Sequence, residues 1–260
     1  MMNDQTADLA AELELALALA DAADAVTVPR FRAADLVIDT KPDRTPVTDA
    51  DRATERALTA MLAEARPDHG ILGEEFGSSG GGPWQWVLDP IDGTANYMRG
   101  IPVWATLIAL VHDGRPVVGV VSAPALHRRW WAAKGMGAWG DDRRLAVSGI
   151  ASLADAQVSF NEPGAFKSRG WEDALSTLTD RAWRVRGFGD FWHHMLVAEG
   201  AVDIAMEAVI APWDMAACQI IVEEAGGRYT DLTGVPDYST GSSLSTNGLL
   251  HDEVLALFNS

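Results

Sequence analysis

Leu88-Asp89-Pro90-Ile91-Asp92-Gly93-Thr94-Ala95-Asn96 is the stretch around which the rest of the chain can be read. Trp86-Val87-Leu88 just before it is a short apolar run, the pattern of a buried strand. Pro90 has no N–H to give to a sheet ladder, so the strand is expected to stop there. Asp89 and Asp92 then fall in the turn at its end. Two carboxylates forced together repel unless cations sit between them or one takes up a proton. Gly93 lets the backbone come close to a ligand, and the amides of Gly93 and Thr94 can face an anion. The loop therefore reads as a holder of divalent cations against a phosphate. Taken alone, it also fits a plain polar turn closed by an Asx-type hydrogen bond.

The chain has 260 residues, 48% of them apolar, enough for one large domain or two tightly joined halves. It carries 20 basic and 37 acidic residues, a net charge of −17. Such a surface is a poor partner for nucleic acid or an anionic membrane. An anionic substrate could bind only where the sign is locally reversed, and metal ions are the obvious means. The single cysteine, Cys218, excludes a disulfide framework and a thiolate zinc site within the chain and suits a reducing cytoplasm. The N-terminal segment carries Asp4, Asp8, Glu12 and Glu14 with no basic leader, and its uncharged run over 15–20 is far too short to span a bilayer.

Residues 7–28 place Leu9, Leu13, Ala16, Leu17 and Ala20 on one face, an amphipathic helix ended by Pro29. Val37-Ile38 suggests a short strand, and 41–46 is a loop with two prolines. Thr48 has the look of a helix N-cap with Asp51 at the capping-box position, for a helix running to Pro67. Ser78 to Gly82 is an exposed, flexible Gly/Ser loop. Strands are expected at 103–111 and 116–122, joined by a turn at 112–115, and again at 129–133 and 145–147. Residues 1–150 thus read as helices plus an antiparallel sheet. From 151 to 260 helices and strands alternate, an α/β half that includes a helix from Asp214 closed by Gly226-Gly227. No linker separates the halves, so they are expected to fuse around one cleft.

Four acidic residues stand out by context: Glu74 after a strand and a glycine, Asp89, Asp92, and Asp214 opening a helix. Singly, each has a dull explanation, such as solvation for Glu74 or a helix-dipole role for Asp214. Together they match a known pattern. Asp89-Pro90-Ile91-Asp92-Gly93-Thr94, with Asn96 after it, resembles the first signature of the inositol monophosphatase family. Trp213-Asp214-Met215-Ala216-Ala217, running on through Ile221, Glu224, Ala225, Gly226 and Gly227, resembles its second. Gly73-Glu74-Glu75 and Thr48-Asp49-Ala50-Asp51 fall where the family has its other acidic contributors, and the resemblance runs from about Leu9 to the C-terminus.

The resemblance implies a layered αβαβα fold that combines α+β and α/β halves, and Mg²⁺-dependent hydrolysis of a small phosphomonoester. By position, Glu74, Asp89 and the Ile91 carbonyl would hold one Mg²⁺; Asp89, Asp92 and Asp214 would hold a second; a third, weaker ion would lean on Glu74. Gly93 and Thr94 would give amides to the phosphate, while Asp51 and Thr94, with Glu74, would serve catalysis by orienting the attacking water. It also implies a homodimer. Hard oxygen ligands suit Mg²⁺, and two ions about 3.5–4 Å apart can steady both oxygens of an in-line displacement. Asp51 has a competing use in its capping box.

Other phosphatase chemistries fail on inspection. Cys218 lacks an arginine six residues on, having Glu224 there, and the loop is Asp-x-x-Asp rather than Asp-x-Asp. His193 and His194 are adjacent in a helical pattern, so they are expected to point apart as a solvent-facing or cleft-wall pair, not as ligands. For the organic group, Glu207 lies where inositol phosphatases bind ring hydroxyls. Asp190, in the run from Arg186, replaces the small residue usual there. Asp190 and Glu207 would suit a cationic ester, with Arg186 beside them; the plainer reading pairs Asp190 with Arg186 one turn away. The runs 40–43, 120–126, 128–133 and 247–255 resemble the actinobacterial histidinol-phosphate phosphatases of the same superfamily. That implies a histidine-biosynthetic hydrolase, with a broad inositol-1-phosphate phosphatase as the rival.

Overall fold

The computed structural model describes residues 4–42 and 45–259. The middle of the expected two-proline loop, Asp43 and Arg44, lies outside the described residues. Helix α1 (Asp4–Arg30) is followed by a two-stranded antiparallel ribbon of β1 (Ile38–Thr40) and β2 (Pro46–Thr48), then by α2 (Asp49–Ala65). The large sheet takes β3 (Gly70–Gly73), β4 (Gly77–Ser79), β5 (Trp84–Asp92), β6 (Ala105–His112), β7 (Arg115–Ala123), β8 (Arg128–Ala133), β9 (Gly137–Gly140) and β10 (Arg143–Arg144). Its order is β10-β9-β8-β7-β6-β5-β3-β4. All neighbours are antiparallel except β3 and β5, which run parallel. Helix α3 (Thr94–Met98) interrupts the run after β5.

The second sheet has the order β12-β11-β13-β15-β14. Its strands are β11 (Gln157–Phe160), β12 (Arg184–Val185), β13 (Ile204–Glu207), β14 (Arg228–Thr230) and β15 (Ser243–Thr246). Between them come α4 (Pro163–Ser168), α5 (Glu172–Arg181), α6 (Asp190–Ala198) and α7 (Pro212–Glu224), with α8 (His251–Phe258) last.

The buried side chains sort these elements into five layers. Ala16, Leu19 and Ala23 of α1 and Leu58 and Leu62 of α2 pack with Trp86, Leu88, Ile108 and Val120 on one face of the large sheet. Leu107, Val121 and Trp130 on its other face pack with Phe191, Met195, Met215 and Ile221 of α6 and α7. The second sheet lies beyond those helices, and Val158, Ile204, Met206 and Leu244 then pack with Phe166, Leu178 and Val254 of α4, α5 and α8. The order is αβαβα, as the resemblance implies. The central strands β6 and β7 are buried on both faces and so read as continuous apolar runs. Gly119 makes the close central contact possible: a Cβ there would stand 2.5 Å from Ile220 Cγ2 and 2.7 Å from the Ala217 carbonyl.

Three local expectations need correction. The strand through Trp86 does not end at Pro90 but continues to Asp92. Its register against β6 shifts between Asp89 and Asp92, so the missing N–H falls in a bulge, and Thr106 Oγ1 donates to the Pro90 carbonyl at 2.8 Å. No strand forms over 145–147: Leu145 N–H donates to Ala138 O while Val147 N–H donates to Ala225 O, so no ladder can build. Within the exposed 78–82 loop, Ser78 and Ser79 belong to the edge strand β4. The Thr48 cap is as expected, with Thr48 Oγ1 accepting from Asp51 N–H and Asp51 Oδ2 accepting from Thr48 N–H at 2.8 Å.

Candidate active site

Three acids from two elements, β5 and α7, meet at the end of β5. Single carboxylate oxygens of Asp89, Asp92 and Asp214 lie within 4.8 Å of one another. Asp89 and Asp92 flank the bulge. Asp214 is the third residue of α7, where its Oδ2 accepts from Ala211 N–H at 3.1 Å; that is half of a capping box, since Ala211 has no side-chain acceptor to complete it. Glu74 joins them through the parallel pairing: Gly73 is in register with Leu88, and Glu74 N–H donates to Leu88 O at 3.2 Å. Glu74 therefore stands beside Asp89, near enough to hydrogen-bond it.

Electrostatics mark the cluster as short of positive charge. Burial, then the charges of Glu74, Asp92 and Asp214, push Asp89 well above the usual carboxylate range. Burial, then Asp190 and Asp214, do the same to Asp92, although Phe191 N–H at the start of α6 donates to its Oδ2 at 2.6 Å. Burial raises Asp214 to about 7. A buried group in this condition neutralises itself or takes a cation. The donor set is all hard oxygen, which fits Mg²⁺. One cation comes from the chain itself: Lys41 Nζ lies 2.7 Å from an oxygen of Glu74 and 2.7 Å from one of Glu75.

Asp51 and Thr94 are brought together. Asp51 Oδ2 is taken by the Thr48 N–H and hydroxyl, whereas Oδ1 lies 3.2 Å from Thr94 Oγ1. The Thr94 hydroxyl is also 2.9 Å from the Ile91 carbonyl, so its one proton is shared between two acceptors. The capping and site readings of Asp51 are thus compatible, one oxygen each. Burial raises Asp51 to about 6 against the Thr48 hydrogen bonds. Gly93 caps α3 at φ +78, which a side chain would strain, and a Cβ there would stand 3.0 Å from Val103 O.

Beyond Asp92 a cavity of about 60 Å³ is lined by Asp92, Asp190, His194, Glu207, Ile210 and Asp214. Glu207 also borders a neighbouring hollow of about 170 Å³ with Asn161 and Val209. Asp190 therefore faces the site, its Oδ2 accepting from Asn96 Nδ2 at 2.9 Å, and burial followed by the Glu207 charge raises it to about 6. Arg186 is not brought in: it is exposed and donates to Val185 O at 2.6 Å, and no Arg186–Asp190 pair forms. His193 and His194 overturn the expectation of a pair pointing apart. Both are buried, their ring centroids are 4.2 Å apart, and both Nε2 atoms reach Glu207 Oε1, at 3.1 and 3.3 Å.

Three participants, Lys41, Glu55 and Asn161, and one bond of a fourth residue, Asn96, do not show in the sequence. Lys41 gave no local signal. Glu55, two turns into α2 from Thr48, accepts from Glu75 N–H and Phe76 N–H at 2.8 and 3.0 Å and so pins the turn that carries Glu74. Its one legible trace is Gly73, where a Cβ would fall 1.9 Å from Glu55 Oε1. Asn96 was visible as part of the signature, but not its bond to Asp190. Asn161 was not visible at all; its Nδ2 donates to Glu207 Oε2 at 2.8 Å.

The model of the inositol monophosphatase family matches residues 8–260. The chain belongs to the inositol monophosphatase family. Among its relatives, a histidinol-phosphatase of Mycobacterium tuberculosis is 56% identical over 254 residues, covering 95% of this chain and 98% of the relative. A histidinol-phosphatase of Streptomyces coelicolor is 50% identical, with 95% and 97% covered. Among solved structures, an inositol monophosphatase from Zymomonas mobilis superposes with a TM-score of 0.85 at 33% identity, covering 96% of this chain and 98% of that one. In this member of the family, no helix among the described residues is long and apolar enough to cross a membrane.

Proposed function

We propose that the chain hydrolyses L-histidinol phosphate to L-histidinol and phosphate, the dephosphorylation step of histidine biosynthesis. The observation that carries this reading is the cavity where the acidic cluster of a phosphomonoesterase meets two further carboxylates, Asp190 and Glu207, on the organic-group side. A phosphate ester whose organic part carries an ammonium and an imidazole has the charge that such a pocket favours. The two histidinol-phosphatase relatives support it from the sequence side.

In this reading Glu74, Asp89, the Ile91 carbonyl, Asp92 and Asp214 hold Mg²⁺. The ions supply the positive charge that attracts a phosphate dianion and makes a water acidic enough to attack. The remaining work belongs to the chain. Gly93 and Thr94 offer backbone amides to the phosphate at the start of α3. Thr94 Oγ1 accepts from the attacking water and donates to Asp51 Oδ1, so Asp51 receives the proton at its free oxygen. Asp190 and Glu207 bind the cationic end. The buried cysteine suits a reducing cytoplasm, where we place the reaction, in a homodimer as the family implies.

Phosphate release with Mg²⁺ present tests this directly. L-Histidinol phosphate should give at least about tenfold higher kcat/KM than myo-inositol 1-phosphate, the worth of one well-placed charged contact. A higher value for the inositol ester would reject the assignment.

A further inference from the structure

The buried pair His193 and His194 has no part in the hydrolysis as derived above, yet it is among the most completely enclosed polar groups of the fold. Successive residues on a helix point about 100° apart, so two adjacent imidazoles meet on one oxygen only if something else turns them. The second sheet does this. Ser159 on β11 is in register with Ala205 on β13, and Ala205 with Ser245 on β15, so the two serines flank one small residue in a cross-strand row. Glu207 lies two residues beyond Ala205 and so shares its face of the sheet. His193 Nδ1 is 3.2 Å from Ser159 Oγ, and His194 Nδ1 is 2.9 Å from Ser245 Oγ. Each serine fixes the far side of one ring, and both Nε2 atoms then face Glu207 Oε1.

The protons can be placed. A neutral imidazole has one N–H, and its other nitrogen accepts. Ser159 Oγ accepts from Phe188 N–H at 3.2 Å and can give its own proton to His193 Nδ1. The Ser245 hydroxyl can serve His194 in the same way. Both imidazole protons can then sit on Nε2, directed at Glu207, which makes the 3.0 Å approach of the two Nε2 atoms a contact between two donors and not a hydrogen bond. Asn161 holds the other carboxylate oxygen. Burial alone would raise Glu207, but the hydrogen bonds from the two histidines outweigh it and hold the group down at about 2. Burial, then the neighbouring His193, lowers His194 to about 4, so it donates as a neutral ring.

We propose that His193 and His194 are positioning residues that clamp the Glu207 carboxylate at the organic-group end of the cavity and thereby select phosphate esters with a cationic organic part. This rests on the proposed function for the identity of the substrate, though not for the clamp itself. The three groups also have the spacing of metal ligands, with ligand atoms within 4.8 Å. A clamp made of N–H donors leaves Glu207 already compensated and needs no ion.

The test uses the full chain with saturating Mg²⁺ and two esters, L-histidinol phosphate and neutral glycerol 2-phosphate. His194→Met removes the donor. It should raise KM for the cationic ester about tenfold, the worth of a charge-assisted hydrogen bond, with kcat within about twofold and the neutral ester unaffected. His194→Gln restores an N–H donor and should recover KM to within about threefold of the parent. Equal losses on both esters, or a fall in kcat at constant KM, would overturn the proposal. Should His194→Met fail to fold, ¹⁵N shifts of the parent's imidazoles decide the matter. Neutral His194 protonated at Nε2 is expected. An Nδ1-protonated ring, or a transition ion retained on the pair after chelation, would overturn the clamp. Poor hydrolysis of L-histidinol phosphate by the parent chain would count against the functional reading, and the tautomer would still decide the clamp.

Discussion

Asp92 and Glu207 line the same small cavity, and burial acts on both, yet they end in opposite states. Asp92 is surrounded by Asp89, Asp190 and Asp214 and has one helix-terminal N–H to offset them, so it is driven toward the protonated form. Glu207 lies within hydrogen-bond reach of three side chains, His193, His194 and Asn161, and its contacts with the histidines hold it at about 2. The difference teaches where the chain expects help. At one end of the cavity the acids lack compensating charge, as a divalent-metal site would; at the other, side chains of the chain itself surround the carboxylate. A substrate with a phosphate at one end and a cation at the other matches that asymmetry.

The largest effect should come from breaking the incomplete end. Asp92→Asn should lower kcat by about 10³-fold or more, because it removes a proposed cation ligand used in the transition state, while the metal-free fold is retained or gains stability. Phosphate release and a thermal melt check the two halves of that statement. Activity within tenfold of the parent would mean that the cluster is not where the chemistry occurs.

Removing a charge between the two ends should do less. Asp190→Asn should raise KM for L-histidinol phosphate about tenfold and leave a neutral ester within about twofold, as expected for loss of one charged contact. Equal changes on both esters would leave Asp190 a merely structural partner of Asn96.

The smallest effect sharpens the comparison through pH. Asp214 at about 7 and Asp51 at about 6 lie above their ordinary value of 3.8. Without metal, the folded chain therefore keeps protons that the unfolded chain releases between about pH 4 and 7. Stability is fullest at the low end of that window and falls as pH rises through it. His194 and His251, held down to about 4, gain stability as pH rises toward 6.5, so the acids are read by difference: metal-free Asp214→Asn should lose less Tm than the parent between pH 5 and pH 8, and Mg²⁺ should raise the parent's Tm at pH 8. Glu207 has the opposite sign: its contribution is present above its ordinary 4.5 and is lost only as pH falls toward 2, outside the same window. An Asp214→Asn variant whose metal-free Tm changes from pH 5 to pH 8 as much as the parent's would contradict the crowding of the acids.

What could be read from the sequence was local. The Thr48 and Asp51 cap, the turn joining β6 to β7, and the close of α7 before Gly226, at φ +89, each depend on residues within one or two turns of one another. The convergence of Glu74, Asp89, Asp92 and Asp214 was legible only as a resemblance, because parallel pairing of β3 with β5 and the seating of α7 on the sheet bring them together. Pro90 misled because a bulge can absorb a missing N–H, which composition does not announce. The histidine pair misled because serines on β11 and β15, far along the chain, override the helical spacing. Lys41 and Glu55 act across similar sequence distances, and their types are common on any surface.

Anomalous diffraction from crystals of the full chain soaked in Mn²⁺, a hard-ligand substitute for Mg²⁺, tests the central claim most directly. At least one peak is expected among Asp89, Asp92 and Asp214, a second beside Glu74 and Asp89, and loss of the first in Asp92→Asn. An enzyme that hydrolyses its ester in Mn²⁺ while that cluster shows no peak would contradict it.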